Sequence, residues 1–312
     1  MDCLVTGGAG FIGSNLVDAL IARGDTVTVI DSLITGKREN LAGAEAQGAR
    51  LYELDVRDRA GVLEVFEAVR PELVFHLAAQ IDVRKSVDDP AFDAEVNVLG
   101  ALSVLQAARD CGVRRLVNTS TGGGLYGDAD LLPTPEGHLI VPLAPYGQGK
   151  LAAEGYFDLF ARLFGCSSVS LRYGNVYGPR QDVHGEAGVV AIFCGHLVEG
   201  RRPTVFGDGL QTRDWVEVSD VVAANLLAAE SSLSGAVNIG HGQETSVVAF
   251  IAALAAVGAE RGLTLGEPVF APDRPGEVRR SCLDVSRARR DLGWEPKVEL
   301  ADGLRNLLVG LL

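Results

Sequence analysis

The chain has few of the features that would tie it to a metal, a membrane or a nucleic acid. Its five cysteines, Cys3, Cys111, Cys166, Cys194 and Cys282, are odd in number, widely separated and form no Cys-x-x-Cys. That pattern argues against a disulfide framework and a zinc site, and fits reduced thiols in a cytoplasmic protein. The five histidines show no ligand spacing, so no metal is expected. No apolar run reaches the roughly 18 residues of a membrane span, and no membrane association is expected. No basic segment precedes the first strand-like run, so no signal peptide is expected either. Basic side chains are in deficit, 28 against 41 acidic, for a net charge of −13. Such a surface repels phosphate backbones, so nucleic acid is not an expected partner. An anionic ligand would have to be held locally, by helix N-termini and individually placed arginines.

What is present is a soluble, two-domain amount of chain: 312 residues, 47% hydrophobic and 22% charged, with 38 scattered glycines. β-branched runs at 3–6, 26–31, 50–54, 73–76, 115–119 and 167–172 alternate with helix-length amphipathic segments at 12–23, 60–69, 91–111 and 146–164. This alternation predicts an α/β fold, a Rossmann-type doubly wound parallel sheet with helices on both faces. The strands are nearly all apolar, as a sheet covered on both sides requires. Beyond residue 172 the pattern loosens, with a helix expected at 189–199. A return to the sheet is expected through 215–218, the helix 221–229 and the strand 236–239, then helices at 246–260 and 300–311. The expected division is a dinucleotide-binding domain of 1–172 plus about 213–240, and a smaller discontinuous domain of 173–212 and 241–312.

The first strand runs into Thr6-Gly7-Gly8-Ala9-Gly10-Phe11-Ile12-Gly13 and then a helix. Gly7, Gly10 and Gly13 suit a tight turn, close approach of backbone to a pyrophosphate and close helix packing, with the helix N-terminus facing the phosphates. Asp31 closes the second strand 18 residues past Gly13 and is placed to accept both ribose hydroxyls of NAD while repelling the 2′-phosphate of NADP. Lys37 and Arg38 offer a counter-charge for such a phosphate, but NAD is the favoured cofactor. Asp55-Val56 after the third strand is a plausible adenine contact. Leu77-Ala78-Ala79 after the fourth has small side chains where the cofactor would pass.

Tyr146 and Lys150 stand four apart at the start of a predicted helix and so share a face. A phenol with its usual pKa near 10 is a poor base at neutral pH, and a fixed ammonium beside it favours the phenolate.

These motifs, with Asn97, Asn118-Thr119-Ser120-Thr121 and Leu171-Arg172-Tyr173-Gly174-Asn175-Val176-Tyr177-Gly178-Pro179-Arg180-Gln181, resemble the extended short-chain dehydrogenases/reductases. More closely, and over essentially the whole length, the chain is similar to the UDP-glucose (UDP-galactose) 4-epimerases. The stretches 185–193 and 206–214 and Arg274-Pro275-Gly276-Glu277 strengthen that branch. The resemblance implies an NAD-dependent isomerase that oxidises C4 of a nucleotide-diphosphate hexose, lets the 4-keto sugar turn and returns the hydride to its other face. It implies Tyr146 as acid/base, Lys150 on the nicotinamide ribose, and a Ser or Thr holding the 4-oxygen. Counting back from Tyr126-Gly127 lands on Gly122 rather than a hydroxyl, so that role goes to Thr121, with Ser120 in reserve.

The resemblance further implies cofactor contacts from Phe11, Ile12, Ser32, Thr35, Gly36, Asp55, Val56, Leu77, Ala78, Ala79, Gln80, Asn97, Thr119, Tyr173 and Val176. On the substrate side it implies Asn175, Val189, Val205, Arg213, Arg274, Glu277 and Ser281, with arginines neutralising a UDP-sugar diphosphate. Ser281 falls where relatives limit the room around the sugar's C2 substituent, and its small size suggests that N-acetylhexosamines are accepted. A homodimer through the helices at 91–111 and 146–164 is expected by the same analogy. Related 4,6-dehydratases carry an Asp-Glu pair where this chain has Gly122-Gly123-Gly124, which disfavours dehydration. A nucleotide-sugar decarboxylase, a net alcohol dehydrogenase or ketoreductase, and a non-enzymatic NAD sensor are the alternatives. The complete Tyr146/Lys150 pair weighs against the sensor.

Overall fold

The computed structural model describes residues 1–182, 189–273 and 278–311. Its centre is a sheet of seven parallel strands: β1 (Asp2–Thr6), β2 (Thr26–Asp31), β3 (Arg50–Glu53), β4 (Leu73–His76), β5 (Arg115–Thr121), β6 (Ser167–Tyr173) and a last strand, Gly235–Ile239. They lie in the order Gly235–Ile239, β6, β5, β4, β1, β2, β3. The order reverses between β1 and β4, the switch point outside which doubly wound sheets bind their ligands. Runs such as Val27-Thr28-Val29-Ile30 are buried because both faces are covered. On one face Leu16, Val17 and Leu20 of the helix Phe11–Ala22 share a core with Val221, Ala224 and Ala228 of Val218–Glu230. On the other, Val62 and Phe66 of Arg59–Val69 and Val104 and Leu105 of Gly100–Cys111 meet Phe157 and Phe160 of Pro145–Phe164.

A third core belongs to a smaller lobe. Phe193, Cys194 and Leu197 of the helix Val189–Val198 pack with Phe250 and Leu254 of Val247–Ala259 and with Leu304, Leu307 and Leu308 of Leu300–Val309. Buried Arg115, at the start of β5, locks the end of Val218–Glu230 to the sheet: its Nη2 donates to the carbonyls of Ala228 (2.9 Å) and Leu233 (2.7 Å).

The structure corrects the sequence reading in four places. The helix expected at 91–111 is three segments, Pro90–Ala94, a wide π turn Glu95–Leu99, and Gly100–Cys111. Single π turns inside α-helices are frequent at functional sites, and this one carries buried Asn97. β5 runs two residues past its expected end, because Ser120 and Thr121 pair with Arg172 and Tyr173. The segment 215–218 does not join the large sheet: Trp215–Glu217 pairs in parallel with Asn175–Tyr177, Trp215 facing the small lobe's core and Val216 the sheet's. A helix at Val83–Asp88, capped by Asp82, was not expected.

Candidate active site

The glycine-rich turn after β1 is shaped by contacts that no side chain would allow. Gly7 has φ +71°, and a Cβ there would lie 2.6 Å from the Ala78 nitrogen, so the loop after β4 rests on the turn. A Cβ at Gly13 would lie 2.1 Å from the Gly7 carbonyl oxygen. Gly10 is the N-cap of Phe11–Ala22, and no side chain caps that helix. The first-turn amides of Phe11, Ile12 and Gly13 thus form a ready anion site.

Asp31 is brought to the same turn. Its Oδ2 accepts from the Ala9 amide and its Oδ1 from the Leu33 amide, each at 2.9 Å. Gly36 makes room, since a Cβ there would lie 2.7 Å from Asp31 Oδ1; Ser32 and Thr35 lie between the two. Lys37 and Arg38 are held by other carboxylates, Lys37 by Asp182 at 3.8 Å and Arg38 by Glu45 at 2.9 Å. Asp55 is held below the usual carboxylate range by its hydrogen bond to Arg57, and Val56 is buried against Gly100. This cradle fits a dinucleotide: bare glycine backbone for the pyrophosphate, an uncapped helix end, and a preset carboxylate for a ribose.

Leu77, Ala78, Ala79 and Gln80 line the switch point. Asn97 anchors this loop: its Oδ1 accepts from the Gln80 amide and its Nδ2 donates to the Gln80 carbonyl and to Asp93 Oδ1, all at 3.0 Å. Gln80 Nε2 also donates to Asp93 Oδ1 (2.9 Å). Buried Asp93 is a residue that sequence reasoning missed. It binds both amide side chains, and a Cβ at Gly149 would come within 3.0 Å of its Oδ2. Its charge is felt at Lys150 and Tyr146.

Tyr146 and Lys150 lie in the first turns of Pro145–Phe164, where Pro145 at the N-terminal position costs no hydrogen bond. Lys150 Nζ donates to the Thr119 carbonyl at 3.0 Å. Burial lowers Lys150 to about 8, with the charges of Asp93 and Glu154 opposing the shift. Burial pushes the Tyr146 phenol up to about 12, against the pull of the Thr121 hydroxyl, with Asp93 adding to the rise.

Thr121 Oγ1 caps the short helix Gly122–Leu125 by accepting from the Gly124 amide at 3.1 Å. A Cβ at Gly124 would lie 2.9 Å from Thr121 Cγ2 and 3.5 Å from Tyr146 Cε1, so the two side chains stand together. Ser120, one residue back and therefore on the strand's other face, is buried with its Oγ unpartnered among the described residues. Thr119 Oγ1 lies 3.3 Å from the Tyr173 hydroxyl, which also accepts from Asn225 Nδ2 at 2.7 Å. The Tyr173 phenol is therefore a buried strut, leaving its backbone for any cofactor contact.

On the small-lobe side, Asn175 begins the strand Asn175–Tyr177, with half-buried Val176 next to it. The Asn175 amide donates to the Asp214 carbonyl at 2.7 Å. Asn175 Oδ1 and Ser281 Oγ converge on Gly123, 3.7 and 3.8 Å from where its Cβ would be. The segment 281–284 is not a strand; it makes a single bridge, Leu283 to Thr134.

Arg213 lies in the strand Thr212–Arg213, its Nη1 donating to the Thr212 carbonyl at 2.8 Å. Val189 opens its helix and is exposed. Val205 is buried in the small lobe's core, so its side chain is committed to packing. Arg274, Glu277 and the stretch 185–188 lie outside the described residues. Asp214, fully buried at the end of the stretch 206–214, has a role in the site's architecture: its carboxylate accepts from the amides of His241 (2.6 Å), Gly242 (3.1 Å) and Leu283 (3.0 Å), tying three segments together beside Asn175. Sequence alone offers no signal for that role, because its partners are backbone amides.

A doubly wound sheet with a dinucleotide cradle at its switch point and a Tyr-x-x-x-Lys helix beside it defines the short-chain dehydrogenase/reductase class. The family model described as GDP-mannose 4,6 dehydratase matches residues 4–307. The chain is 48% identical over 309 residues to a UDP-glucose 4-epimerase of Mycolicibacterium smegmatis, covering 97% of this chain and 96% of that protein. Among solved structures it is similar to a UDP-glucose 4-epimerase with UDP-glucose from Thermotoga maritima (TM-score 0.95, 45% identity, 100% of this chain and 98% of that one). A Thermus thermophilus UDP-glucose 4-epimerase complexed with NAD gives a TM-score of 0.92 at 43% identity, covering 99% of this chain and 98% of that one. The chain belongs to the extended short-chain dehydrogenase/reductase family, among its nucleotide-sugar-modifying members.

The Asp31 geometry makes a prediction. Asp31→Ala is expected to weaken NAD binding and narrow the preference over NADP, because each charge-assisted hydrogen bond lost contributes about 1.5–3 kcal/mol. Calorimetric titration with both dinucleotides checks it; unchanged NAD affinity would show that the carboxylate serves only the turn.

Proposed function

We propose that this protein is an NAD-dependent epimerase that inverts C4 of a UDP-hexose, interconverting UDP-glucose and UDP-galactose through a transient 4-keto sugar. The observation that carries the reading is the grouping of Thr121, Tyr146 and Lys150 beside the Gly122-Gly123-Gly124 run. In this reading Gly7, Gly10, the Phe11–Gly13 amides and Asp31 hold NAD, which supplies a hydride acceptor and donor at the sugar's C4. Tyr146 takes the proton from the 4-hydroxyl and returns it, Thr121 orients that oxygen, and Lys150 keeps a positive charge beside the phenol. Asn175, Arg213 and Arg274 grip the nucleotide sugar, with the guanidinium groups neutralising the diphosphate.

One base suffices, because the same proton and hydride go back. A 4,6-dehydratase, the activity in the matching family model's description, must also eliminate water across C5 and C6. Gly122, Gly123 and Gly124 offer no acid or base for that step. The close identity to UDP-glucose 4-epimerases supports the same choice.

Two finer statements complete the reading. The five cysteines are unpaired, and among the described residues no helix is long and apolar enough to cross a membrane; both suit a cytoplasmic enzyme. Val83, Val87, Leu99, Leu163 and Phe164 are exposed apolar side chains on helices that pack together, and they suit a homodimer interface.

The test is incubation with a panel of UDP-sugars, products separated by chromatography. The expected result is a C4-epimer mixture without accumulation of reduced nicotinamide, from a protein that sediments as a dimer. Small, buried Ser281 leads us to expect turnover of UDP-N-acetylglucosamine as well as the plain hexoses. Stoichiometric reduced cofactor with an oxidised sugar would replace the epimerase by a net dehydrogenase.

A further inference from the structure

Asp93 is a buried carboxylate to which the proposed reaction gives no part. It lies in the helix Pro90–Ala94, and its Oδ1 accepts from Gln80 Nε2 (2.9 Å) and Asn97 Nδ2 (3.0 Å). Among the described residues no cation lies within ion-pair distance of it. Lys150 is buried too, and its Nζ donates to the Thr119 carbonyl rather than to a carboxylate.

A buried charge without a contacting counter-ion is costly, and two amide donors are served equally well by a neutral oxygen. Folding therefore does not call for a charge at 93. The neighbouring helix nevertheless makes room for it. Glycine is a poor residue inside a helix, yet Gly149 stands within Pro145–Phe164. A Cβ there would lie 3.0 Å from Asp93 Oδ2 and 3.3 Å from Asn97 Cβ. The second carboxylate oxygen thus reaches the backbone next to Lys150, and its charge acts on both Lys150 and Tyr146.

The other charges on and around this helix are engaged or distant. Glu154 is bound to Arg172 of β6, and Asp158 to Arg162. His76 of β4 feels Lys150 as a neutral ring, since burial, with the lysine's charge adding, lowers it to about 3. Arg115 sits at the opposite end of β5 and donates to backbone carbonyls. Arg84, Lys85 and Asp88 of Val83–Asp88 are exposed, as is Asp89. Glu95 of the π turn pairs with Arg57, and Arg109 with Asp110.

We propose that Asp93 is a positioning residue for the Tyr146/Lys150 pair: it fixes the loop Leu77–Gln80 through Gln80 and Asn97, and its buried charge, admitted by Gly149, holds the Lys150 ammonium in its charged form. The proposal rests on the epimerase reading and adds to it a residue that acts through the pair rather than on the sugar. An anion here favours the ammonium and opposes the phenolate. Removing it lowers the apparent pKa values of both, which belong to the coupled pair. Catalysis needs phenolate and ammonium together, so Asp93 sets the pH window in which the pair works.

The test compares wild type, Asp93→Asn and Asp93→Ser, each saturated with NAD. Asparagine keeps an acceptor for Gln80 and Asn97 and removes only the charge; serine does the same with a smaller side chain. Asp93→Asn is expected to melt within about 3 °C of wild type, and either variant that folds decides the matter. Two profiles are measured: kcat/KM for UDP-glucose against pH, and ultraviolet absorbance of tyrosinate against pH, corrected with Tyr146→Phe counterparts. Both limbs of the kinetic profile are expected to move to lower pH by about one unit, and the tyrosinate midpoint to fall with them.

A profile that loses height while both limbs stay in place would overturn the proposal and leave Asp93 a structural acceptor. Movement of one limb alone, or failure of both variants to fold, would overturn it too. A wild type that shows no epimerisation, with a tyrosinate midpoint that still falls in the Asp93 variants, would remove the epimerase reading and leave the role of Asp93 standing.

Discussion

Tyr146→Phe is expected to lower turnover at least about 100-fold, roughly 2.7 kcal/mol of transition-state stabilisation, with NAD and UDP affinities retained. Phenylalanine keeps the ring against Gly124 and beside Thr121 and removes only the proton carrier. In the protein alone the phenol lies at about 12 and Lys150 at about 8, so neither the lysine charge nor the Thr121 hydroxyl makes Tyr146 a base at neutral pH. The further lowering, at about 1.4 kcal/mol per pKa unit, has to come with the bound ligands. Steady-state kinetics of the variant check this, and activity above about a tenth of wild type would place the base elsewhere.

The second large effect is on stability. Glu154→Ala is expected to destabilise the fold by about 3–5 kcal/mol, because it strands a buried cation. Glu154 accepts from Arg172 Nε at 2.9 Å and Nη2 at 2.7 Å, with both side chains buried. Burial works against the guanidinium's charge, and Glu154 overcomes it, holding Arg172 firmly protonated. Arg172 Nη1 goes on to the Tyr126 hydroxyl (2.8 Å) and the Glu136 carbonyl (3.2 Å), so the same cation secures the loop that leads back to the active-site helix.

A melting temperature lower by about 10 °C is the expected reading, at roughly 2–4 °C per kcal/mol for a large domain. Glu154→Leu combined with Arg172→Met should recover most of the loss, since an apolar pair leaves no charge to solvate. A melting temperature within about 2 °C of wild type for Glu154→Ala would show that water reaches Arg172 and solvates it.

The sheet strands are legible in the sequence because a strand covered on both faces is an unbroken apolar run, and the dinucleotide turn because its glycines answer local steric demands. Tyr146 and Lys150 are legible because helical periodicity alone puts them on one face. Asp93 is not, since an aspartate in a helical stretch looks like a solvated one until Gln80, Asn97 and Gly149 are brought around it. Asp214 is hidden for a related reason: its partners are amides at 241, 242 and 283, which carry no residue-type signature. The choice between Ser120 and Thr121 needed the strand's true end, because strand alternation decides which hydroxyl stands at Tyr146. The small lobe's strands of two or three residues are too short for any periodicity to show.

The position of the last strand has a consequence for how the chain is made. Gly235 follows Tyr173 by 62 residues, yet its strand completes the sheet beside β6. While the intervening segment is still being synthesised, β6 is an open edge able to pair with another chain. Over the same interval Arg115 has not yet met the Ala228 and Leu233 carbonyls that engage its guanidinium in the finished fold. The half of the chain that carries the glycine-rich turn is therefore made first and is among the last parts to close. A nascent chain in which β6 has emerged and Gly235–Ile239 has not is expected to be in its most aggregation-prone form.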